Sequence, residues 1–421
     1  MTQMRKSVQM RAMNLLHYVL TTGVMIAAWF VWCVPMMKVH NTQVMSISVC
    51  VCYAAVSVFL YHTYNAYEIG VFRAGEVLYA QVLTCLFSVG ITYFFASLIQ
   101  LRLLNPLPMI AAFFVQIPIC ILWCLAANWL YFKLNPPMKT LIIYQDESDI
   151  EKLYEIAFFG SRFNIERKME APESIQDIIP VLDDYKTVIV SGVPATLRNG
   201  IVKACIDKDI NCYFIPHTGD IIIAGARHQQ SFSVPIMSVK RAMPHPEYAF
   251  TKRALDIMLS LIGLILASPF MLITAAVIKA YDRGPVLYKQ VRLTKDGKLF
   301  KILKFRSMRV DAEKDGVARL ASEHDDRITP VGHVIRAIRF DELPQLLNIL
   351  KGDMSIVGPR PERPEIAAQY EKEMPAFSLR LQVKAGLTGT AQVYGKYNTE
   401  PKDKLKMDLM YINDMSLGRH S

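Results

Sequence analysis

Long uncharged runs of apolar residues dominate the first third of the chain. They extend over about residues 12–37, 44–67, 77–101 and 103–132. Each run reaches or exceeds the roughly 20 residues that an α-helix needs to cross the hydrocarbon core of a bilayer. We therefore predict four transmembrane helices within residues 1–137. A cleaved signal peptide is the alternative for the first run, but that run is too long and lacks a small-residue cleavage pattern.

Basic residues around these runs predict which side of the membrane each loop occupies. They stand before the first run, between the second and third, and after the fourth: Arg5, Lys6, Arg11, Arg73, Lys133 and Lys139. Lys38 and Arg102 are the exceptions on the opposite side. Because loops rich in Lys and Arg stay on the cytoplasmic side, both ends of the four-helix region are predicted to face the cytoplasm.

Between residues 138 and 245 the pattern changes to short apolar strands that alternate with amphipathic helices. Strands are predicted from Leu141, Thr187 and Cys212, and helices over about 150–158 and 196–208. This alternation is typical of a small Rossmann-like α/β domain. A nucleotide site there would need glycines directly after the first strand, whereas the sequence continues with "DESD". We therefore interpret this domain as an adaptor or regulatory module in preference to a cofactor site.

A further apolar run, over residues 257–278, is interrupted at its middle by Ser268 and Pro269. A proline inside a helix removes a backbone hydrogen bond and bends the helix. Basic residues flank the run on both sides: Lys252, Arg253, Lys279 and Arg283. Since both flanks prefer the cytoplasmic side, we predict a re-entrant membrane hairpin at about residues 255–278. A straight fifth transmembrane helix is the alternative.

The segment from residue 246 to 421 is predicted to be a mainly α-helical domain with many charges. Lys289, Arg292, Lys295, Lys298, Lys301, Lys304, Arg306 and Arg309 stand against one acid, Asp296. Asp296 and Gly297 predict a tight turn between two extended arms. Such a run is usually a solvated cationic face, yet after a membrane hairpin it can equally bind phospholipid head groups and a diphosphate substrate.

Two neighbouring acids, Asp341 and Glu342, precede a helical repeat. The repeat consists of Leu343, Leu346, Leu347 and Leu350. Pro344 is tolerated only in a first helical turn, so the helix is predicted to begin near Asp341, where its dipole favours an ionised carboxylate and attracts phosphate. Arg336 and Arg339 bring cations to the same place. The alternative is that Asp341 only caps the helix and Glu342 lies in solvent.

Two later segments extend this candidate site. In "GPRPE" two prolines flank Arg360, and a stiff loop of this kind holds a guanidinium at the fixed geometry that phosphate capture requires. An ordinary proline-rich surface loop is the alternative. The stretch "GLTGTAQVYGKYN" from Gly386 is punctuated by glycines, so its backbone could approach a ligand closely, or it could simply be a flexible loop.

Composition limits the classes of protein and partner. Hydrophobic residues make up 52% of the chain and its formal net charge is +10. The charge is compatible with nucleic acid, anionic lipid or a phosphorylated substrate, and the hydropathy favours the last two, so no nucleic-acid partner is expected. The eight cysteines show no metal-ligand spacing, which indicates neither a zinc site nor a disulfide framework.

Taken together, these motifs resemble the bacterial sugar transferase family, the polyprenyl-phosphate hexose-1-phosphate transferases. The resemblance covers about residues 250–415 and is carried by "KRALDI", Ser268-Pro269, "GPVLYKQVRLTKDGKLFKILKFRSM", "DDRITPVGHVIRAIRFDELPQLLNILKGDMSIVGPRPE" and "GLTGTAQVYGKYN". The four N-terminal helices and the Rossmann-like domain resemble the large members that begin exopolysaccharide or capsule assembly.

The resemblance implies an enzyme of the bacterial inner membrane with its catalytic domain in the cytoplasm. It implies Mg²⁺, a UDP-hexose donor and undecaprenyl phosphate as acceptor, with a homodimer possible. Asp341 would attack the sugar-bearing phosphate, UMP would leave, and the lipid phosphate would attack the phosphosugar-aspartate. Glu342 would help to hold the metal, with Asp341, or orient the second step. The family's phosphate-binding and basic positions correspond to Arg336, Arg360, Lys304 and Arg306.

This chain departs from the family pattern at three places. Thr294 stands where the family usually has glycine, Ala385 replaces the customary proline, and the chain ends at Ser421 where relatives usually continue. Two rival functions remain at this stage: a membrane glycosyltransferase that releases UDP, and a non-catalytic scaffold for polysaccharide export. Retention of both acids with Arg336 and Arg360 argues against the scaffold.

Overall fold

The structure is a computed structural model. It describes residues 3–36, 42–70, 72–154, 159–231, 234–310, 312, 325–395 and 399–415. Residue 37 of the first apolar run, residues 155–158 of a predicted helix and residues 396–398 of the glycine-punctuated stretch lie outside this range. The chain divides into two compact units, Met1–Ile215 and Pro216–Ser421, which are described separately below.

The first unit begins with four long helices at the predicted apolar runs. They are α1 (Gln3–Ala28), α2 (Thr42–Thr63), α3 (Ala74–Ile99) and α4 (Leu107–Leu134). A short π-helix, Trp29–Cys33, continues α1. All four are long and apolar enough to cross a membrane. Each predicted run therefore forms a candidate membrane helix, and the number of helices that cross the bilayer stays a prediction.

Polar side chains point into the four-helix bundle while large apolar ones cover its outside. The Gln116 side chain donates hydrogen bonds of 2.8 Å to the Tyr53 hydroxyl and to the Thr21 carbonyl. Apolar residues such as Phe59 and Phe94 are two-thirds exposed. This arrangement suits a lipid surround, where interior polar groups must find partners within the protein.

A parallel sheet follows in the same unit. Its strands are β1 (Met138–Tyr144), β2 (Phe163–Glu170), β3 (Thr187–Ser191) and β4 (Asn211–Phe214), in the order β2-β1-β3-β4. The intervening helices are α5 (Ser148–Tyr154), α6 (Phe159–Arg162), α7 (Ile179–Leu182) and α8 (Ala195–Asp207). Apolar cores lie on both faces, around Val188 and Ile189 respectively. The parallel α/β sheet is confirmed, with β2 as a strand that the hydrophobic pattern did not indicate.

The second unit opens with α9 (Thr218–Ala224), the hairpin β5 (Arg227–Ser231) and β6 (Val234–Ser238), and the 37-residue helix α10 (Pro246–Asp282). The helix assignment runs uninterrupted through Ser268 and Pro269. It is the fifth helix long and apolar enough to span, yet only 6% of its most apolar window is buried, against 28–39% in α1–α4. Because these observations do not test whether α10 enters and leaves the membrane on the same side, the re-entrant hairpin stays a prediction.

The remaining elements form a small mixed domain. They are β7 (Leu287–Leu293), β8 (Leu299–Phe305), α11 (Pro330–Ala337), α12 (Gln345–Lys351), β9 (Ser355–Val357), α13 (Pro364–Glu373), β10 (Gly386–Thr388), α14 (Thr390–Val393) and α15 (Pro401–Asn413). The predicted turn is confirmed: β7 and β8 pair antiparallel, and Asp296 and Gly297 between them have positive φ of 61° and 71°.

Three apolar cores hold this domain together. One joins β8 to α12 and α10 around Ile302 and Ile349, a second joins α10, β8 and α11 around Ile278 and Phe305, and a third packs α9 against α15. The first two cores fix the strand that carries Lys304 and the helices on either side of Asp341.

Candidate active site

Asp341 and Glu342 lie on a single 3₁₀ turn, Phe340–Glu342, between α11 and α12. Arg339 precedes this turn in the left-handed region, with φ of 53°, so the chain reverses sharply before the acids. Pro344 caps α12, as the predicted helix start near Asp341 requires. Both acids are buried, at 9% and 8% exposure, so the alternative that Glu342 lies in solvent is wrong.

Two cations converge on one oxygen of Glu342. Oε1 accepts hydrogen bonds from Lys304 Nζ at 2.8 Å and from Arg360 Nη2 at 3.0 Å. Burial alone would raise the pKa of this carboxyl, but the charges and hydrogen bonds of Lys304 and Arg360 outweigh burial and lower the pKa to about 2. Glu342 is therefore an ionised anchor for two basic side chains.

The pKa of Asp341 moves in the opposite direction. Burial raises it, the neighbouring Glu342 charge raises it further, and Lys304 and Arg336 oppose the rise only in part. A carboxylate with a raised pKa is more basic, and so a better nucleophile once ionised, than an ordinary surface aspartate. In the described part of the chain it has no salt-bridge partner within 4 Å, so no cation is paired directly with its oxygens there.

Backbone contacts fix the loop that carries Arg360. The carbonyl of Pro359 accepts a hydrogen bond from Gly386 N at 2.9 Å, and the carbonyl of Pro361 accepts one from Arg292 Nη1 at 3.0 Å. A Cβ at Gly386 would lie 2.2 Å from Gly358 N. The glycine at 386 thus permits close backbone packing with the Arg360 loop, and the residues around it form strand β10 and not a flexible loop.

The predicted phosphate-binding residues do not all meet. Lys304 and Arg360 contact Glu342, and Arg336, half-buried on α11, is close enough to lower the pKa of Asp341. Arg306 instead forms a two-pronged ion pair with Asp282 and donates to the carbonyl of Pro285 at 2.7 Å. Its guanidinium binds the last residue of α10 and does not contact Asp341 or Glu342.

Three residues that the motif analysis did not assign to the site also shape it. Arg292 and the buried Gln345 line a small polar depression together with Lys304 and Arg360. Asn348 bridges α12 to β8, since its side chain accepts from Leu303 N and donates to the Lys301 carbonyl, both at 2.9 Å. Gln345 and Asn348, the two side-chain amides within the leucine repeat, were the available signal.

Within the described residues, no group of three or more His, Cys, Asp or Glu side chains is arranged to hold a metal ion. Asp341 and Glu342 are adjacent acids on one turn, and their assignment as metal ligands stays a prediction.

Comparisons with known proteins identify related chains. The family described as bacterial sugar transferase matches residues 247–420. A UDP-N-acetylgalactosamine-undecaprenyl-phosphate N-acetylgalactosaminephosphotransferase of Aeromonas hydrophila is 45% identical over 42% of this chain and 42% of its own length. A UDP-glucose:undecaprenyl-phosphate glucose-1-phosphate transferase of Klebsiella pneumoniae is 36% identical over 52% of this chain and 48% of its own.

A third relative is matched over more of its length. It is a putative undecaprenyl-phosphate N-acetylgalactosaminyl 1-phosphate transferase of Bacillus subtilis (strain 168), 48% identical over 32% of this chain and 74% of its own length. The chain spans less than half of the Aeromonas and Klebsiella proteins. The matched region includes the turn with Asp341 and Glu342, the loop around Arg360 and nearly all of α10. With this match and these relatives, the chain belongs to the bacterial sugar transferase family.

Proposed function

We propose that this protein transfers a hexose-1-phosphate from a UDP-hexose to undecaprenyl phosphate, releases UMP, and thereby begins the assembly of an exopolysaccharide or capsule repeat unit. The observation that carries the proposal is the pair of buried, adjacent acids with opposite pKa shifts, one anchored by two cations and the other free of salt bridges. Relatives are named for glucose and for N-acetylgalactosamine transfer, which supports a nucleotide-activated hexose as the donor class.

In the first step, an oxygen of Asp341 attacks the phosphorus that bears the sugar. The bond from that phosphorus to the bridging oxygen of the diphosphate breaks, and UMP leaves with the bond's electron pair. In the second step, an oxygen of the lipid phosphate attacks the same phosphorus and restores the Asp341 carboxylate. Lys304 and Arg360 offset negative charge on the phosphate oxygens, which is where most of the catalysis of phosphoryl transfer arises.

The two acids also fit Mg²⁺, and we include this ion in the proposal. Mg²⁺ keeps several waters and needs only one or two protein carboxylates, with substrate phosphate supplying further ligands. Because Glu342 Oε1 already accepts from Lys304 and Arg360, Asp341 and the second oxygen of Glu342 are the donors that would hold it. The ion would neutralise charge on the donor diphosphate.

The acceptor is a lipid, and helix α10 supports its delivery to the acids. Gly263 on α10 lies against Leu346 of α12, four residues beyond Glu342, while the large apolar side chains from Ile265 to Ile273 stay exposed. We propose that these exposed residues dip into one leaflet as a re-entrant hairpin, so that the catalytic domain stays on the cytoplasmic face. A phosphate at the membrane surface would then meet a soluble nucleotide sugar beside Asp341.

The decisive experiment measures nucleotide release by the full chain in membranes with undecaprenyl phosphate and a panel of UDP-hexoses. We expect UMP and a lipid-linked sugar phosphate. Asp341→Asn should lower UMP release by on the order of a thousandfold or more, because it removes the nucleophile, while Asp414→Asn, at an exposed carboxylate, should leave it unchanged. Release of UDP, or wild-type turnover by Asp341→Asn, would contradict the proposal.

A further inference from the structure

The loop around Arg360 is tied down from both sides. Its carbonyls accept three hydrogen bonds: from Gly386 N to Pro359 at 2.9 Å, from Arg292 Nη1 to Pro361 at 3.0 Å, and from Leu293 N to Glu362 at 3.0 Å. Arg360 itself extends from this loop to Glu342. The position of its guanidinium therefore depends on whatever holds the loop.

Glu362 lies between two further arginines. Its Oε2 is 3.8 Å from Arg292 Nη1, and its Oε1 is 3.8 Å from Arg380 Nη1. Arg380 in turn donates to Asp408 Oδ2 from Nη2 at 2.7 Å and from Nε at 2.9 Å. The Arg380 and Asp408 side chains are 6% and 2% exposed. The Arg380–Asp408 pair thus links the 3₁₀ segment Pro375–Gln382 to α15 and holds the Arg380 guanidinium beside Glu362.

Electrostatics explain why an acid is needed at this position. Arg292 is crowded by like charge: burial lowers the pKa of its guanidinium, and the charges of Arg360 and Arg363 lower it further, whereas Glu362 raises it. Without the carboxylate of Glu362, Arg292 would keep its hydrogen bonds to Gln290 Oε1, at 3.0 Å from Nε and 2.6 Å from Nη2, but would lose the acidic partner of its Nη1, the atom that donates to the Pro361 carbonyl. One of the loop's three anchors would then be weakened.

We propose that Glu362 is a positioning residue for Arg360, and that the buried Arg380–Asp408 pair and Arg292 hold Glu362 in place. The effect on the reaction rests on the proposed function, because it assumes that Arg360 binds the donor phosphate. The effect on the loop does not. Arg380 acts through Glu362, and Arg292 acts through Glu362 and the Pro361 carbonyl and also lines the polar depression beside Lys304 and Arg360.

The first arm of the test uses Glu362→Gln, which keeps the size of the side chain and removes its charge, in the full chain. Its matched control is Glu371→Gln, at an exposed acid on α13. We expect kcat/KM for UMP release to fall about tenfold in Glu362→Gln and to stay unchanged in the control. In an Arg360→Lys background, which lacks the planar fork, Glu362→Gln should cause little further loss. Independent, multiplicative losses would overturn the proposal, since they would mean that Glu362 does not act through Arg360.

The second arm does not depend on activity. Hydrogen exchange at the Gly386 amide reports the bond to the Pro359 carbonyl, and exchange at the Leu293 amide reports the bond to the Glu362 carbonyl. We expect faster exchange in Glu362→Gln and in Asp408→Asn, but not in Glu371→Gln; Arg380→Lys replaces Asp408→Asn if that variant does not fold. Unchanged exchange in Glu362→Gln would reject the positioning role. If wild-type protein releases no UMP, the proposed function fails while this arm still decides the role of Glu362.

Discussion

Asp341 and Glu342 are covalent neighbours of similar burial, yet their pKa values move apart. The difference comes from Lys304 and Arg360, which both donate to Glu342 Oε1, whereas Asp341 receives only the longer-range field of Lys304 and Arg336. Two acids whose surroundings separate their proton affinities can take separate roles. Glu342 is suited to organise cations, and Asp341 is suited to attack.

Thr294 and Ala385, the two positions at which the sequence analysis expects a departure from the family pattern, contact each other. The Thr294 hydroxyl donates to the Asp353 carbonyl at 2.8 Å and accepts from the Ala385 amide at 3.2 Å. A glycine at 294 would lack that hydroxyl and a proline at 385 would lack that N–H, so each departure supplies one partner of a hydrogen bond that the usual pair cannot make. The two substitutions therefore compensate for one another.

Removing only one of these partners should be costly. We expect Thr294→Ala to lower the free energy of unfolding by about 1–3 kcal/mol, because the buried Ala385 amide is left without a partner. Adding Ala385→Pro should recover part of this loss, since the orphaned donor is gone, whereas adding Ala385→Gly, which keeps the N–H, should not. Thermal unfolding of the purified variants measures both. Equal costs of Thr294→Ala in the proline and glycine backgrounds would contradict the coupling.

At the scale of elements, sequence patterns predicted what depends on local physics. The Asp296-Gly297 turn follows from residues that favour positive φ and is confirmed, whereas the helix predicted to begin near Asp341 begins at Gln345, directly after Pro344. The leucine repeat did not predict which face of α12 is buried. Leu347 is 43% exposed, whereas Gln345, Asn348 and Ile349 are buried. Apolar residues can also lie on the surface of a domain, so a hydrophobic repeat does not fix which face of a helix is buried.

The sequence also did not predict which residues form ion pairs when they lie far apart along the chain. Arg306 stands two residues from Lys304 in the same basic run, yet Lys304 forms an ion pair with Glu342 and Arg306 forms one with Asp282. Sequence spacing could not separate the two, because the choice depends on where α10 ends relative to β8. Only the tertiary fold distinguishes a substrate-facing cation from a structural one.

The segment that leads into α11 should show a defined acid sensitivity. Hydrogen bonds from Arg327 are the main cause that lowers the pKa of Asp325 from 3.8 to about 2, with a contribution from the charge of Arg336. Because the folded pKa lies below the unfolded one, this carboxylate stabilises the fold at pH above about 4, and the contribution is lost as pH falls through about 2. The unfolding midpoint of wild type should therefore exceed that of Asp325→Asn at pH 5, and the gap should close toward pH 2. Asp326→Asn, at an exposed neighbour, is the control, and a gap independent of pH would argue against the ion pair.

At the scale of the whole molecule, the two ends of α10 attach to the same small domain. Near its start, Arg253 donates to the carbonyls of Ile349 and Leu350 at 2.7 and 2.8 Å, and at its end Asp282 pairs with Arg306. Asn348 joins these two places through Leu303, and the three residue steps from Leu303 to Arg306 cover about 10 Å of chain. A straight helix from residue 253 to 282 would be ~44 Å long.

A straight span would also carry the two ends to opposite sides of a hydrocarbon core ~30 Å thick, although one folded domain holds both. We therefore expect exposed cysteines on the two sides of α10, introduced as Glu247→Cys and Lys298→Cys, to behave alike. A membrane-impermeant thiol reagent should leave both unlabelled in intact cells and label both after permeabilisation, with the parent protein as the background for its native cysteines. Because the basic flanks favour the cytoplasm at each end, labelling of only one position in intact cells would mean that α10 crosses the bilayer and that Asp341 does not share the side of residue 247.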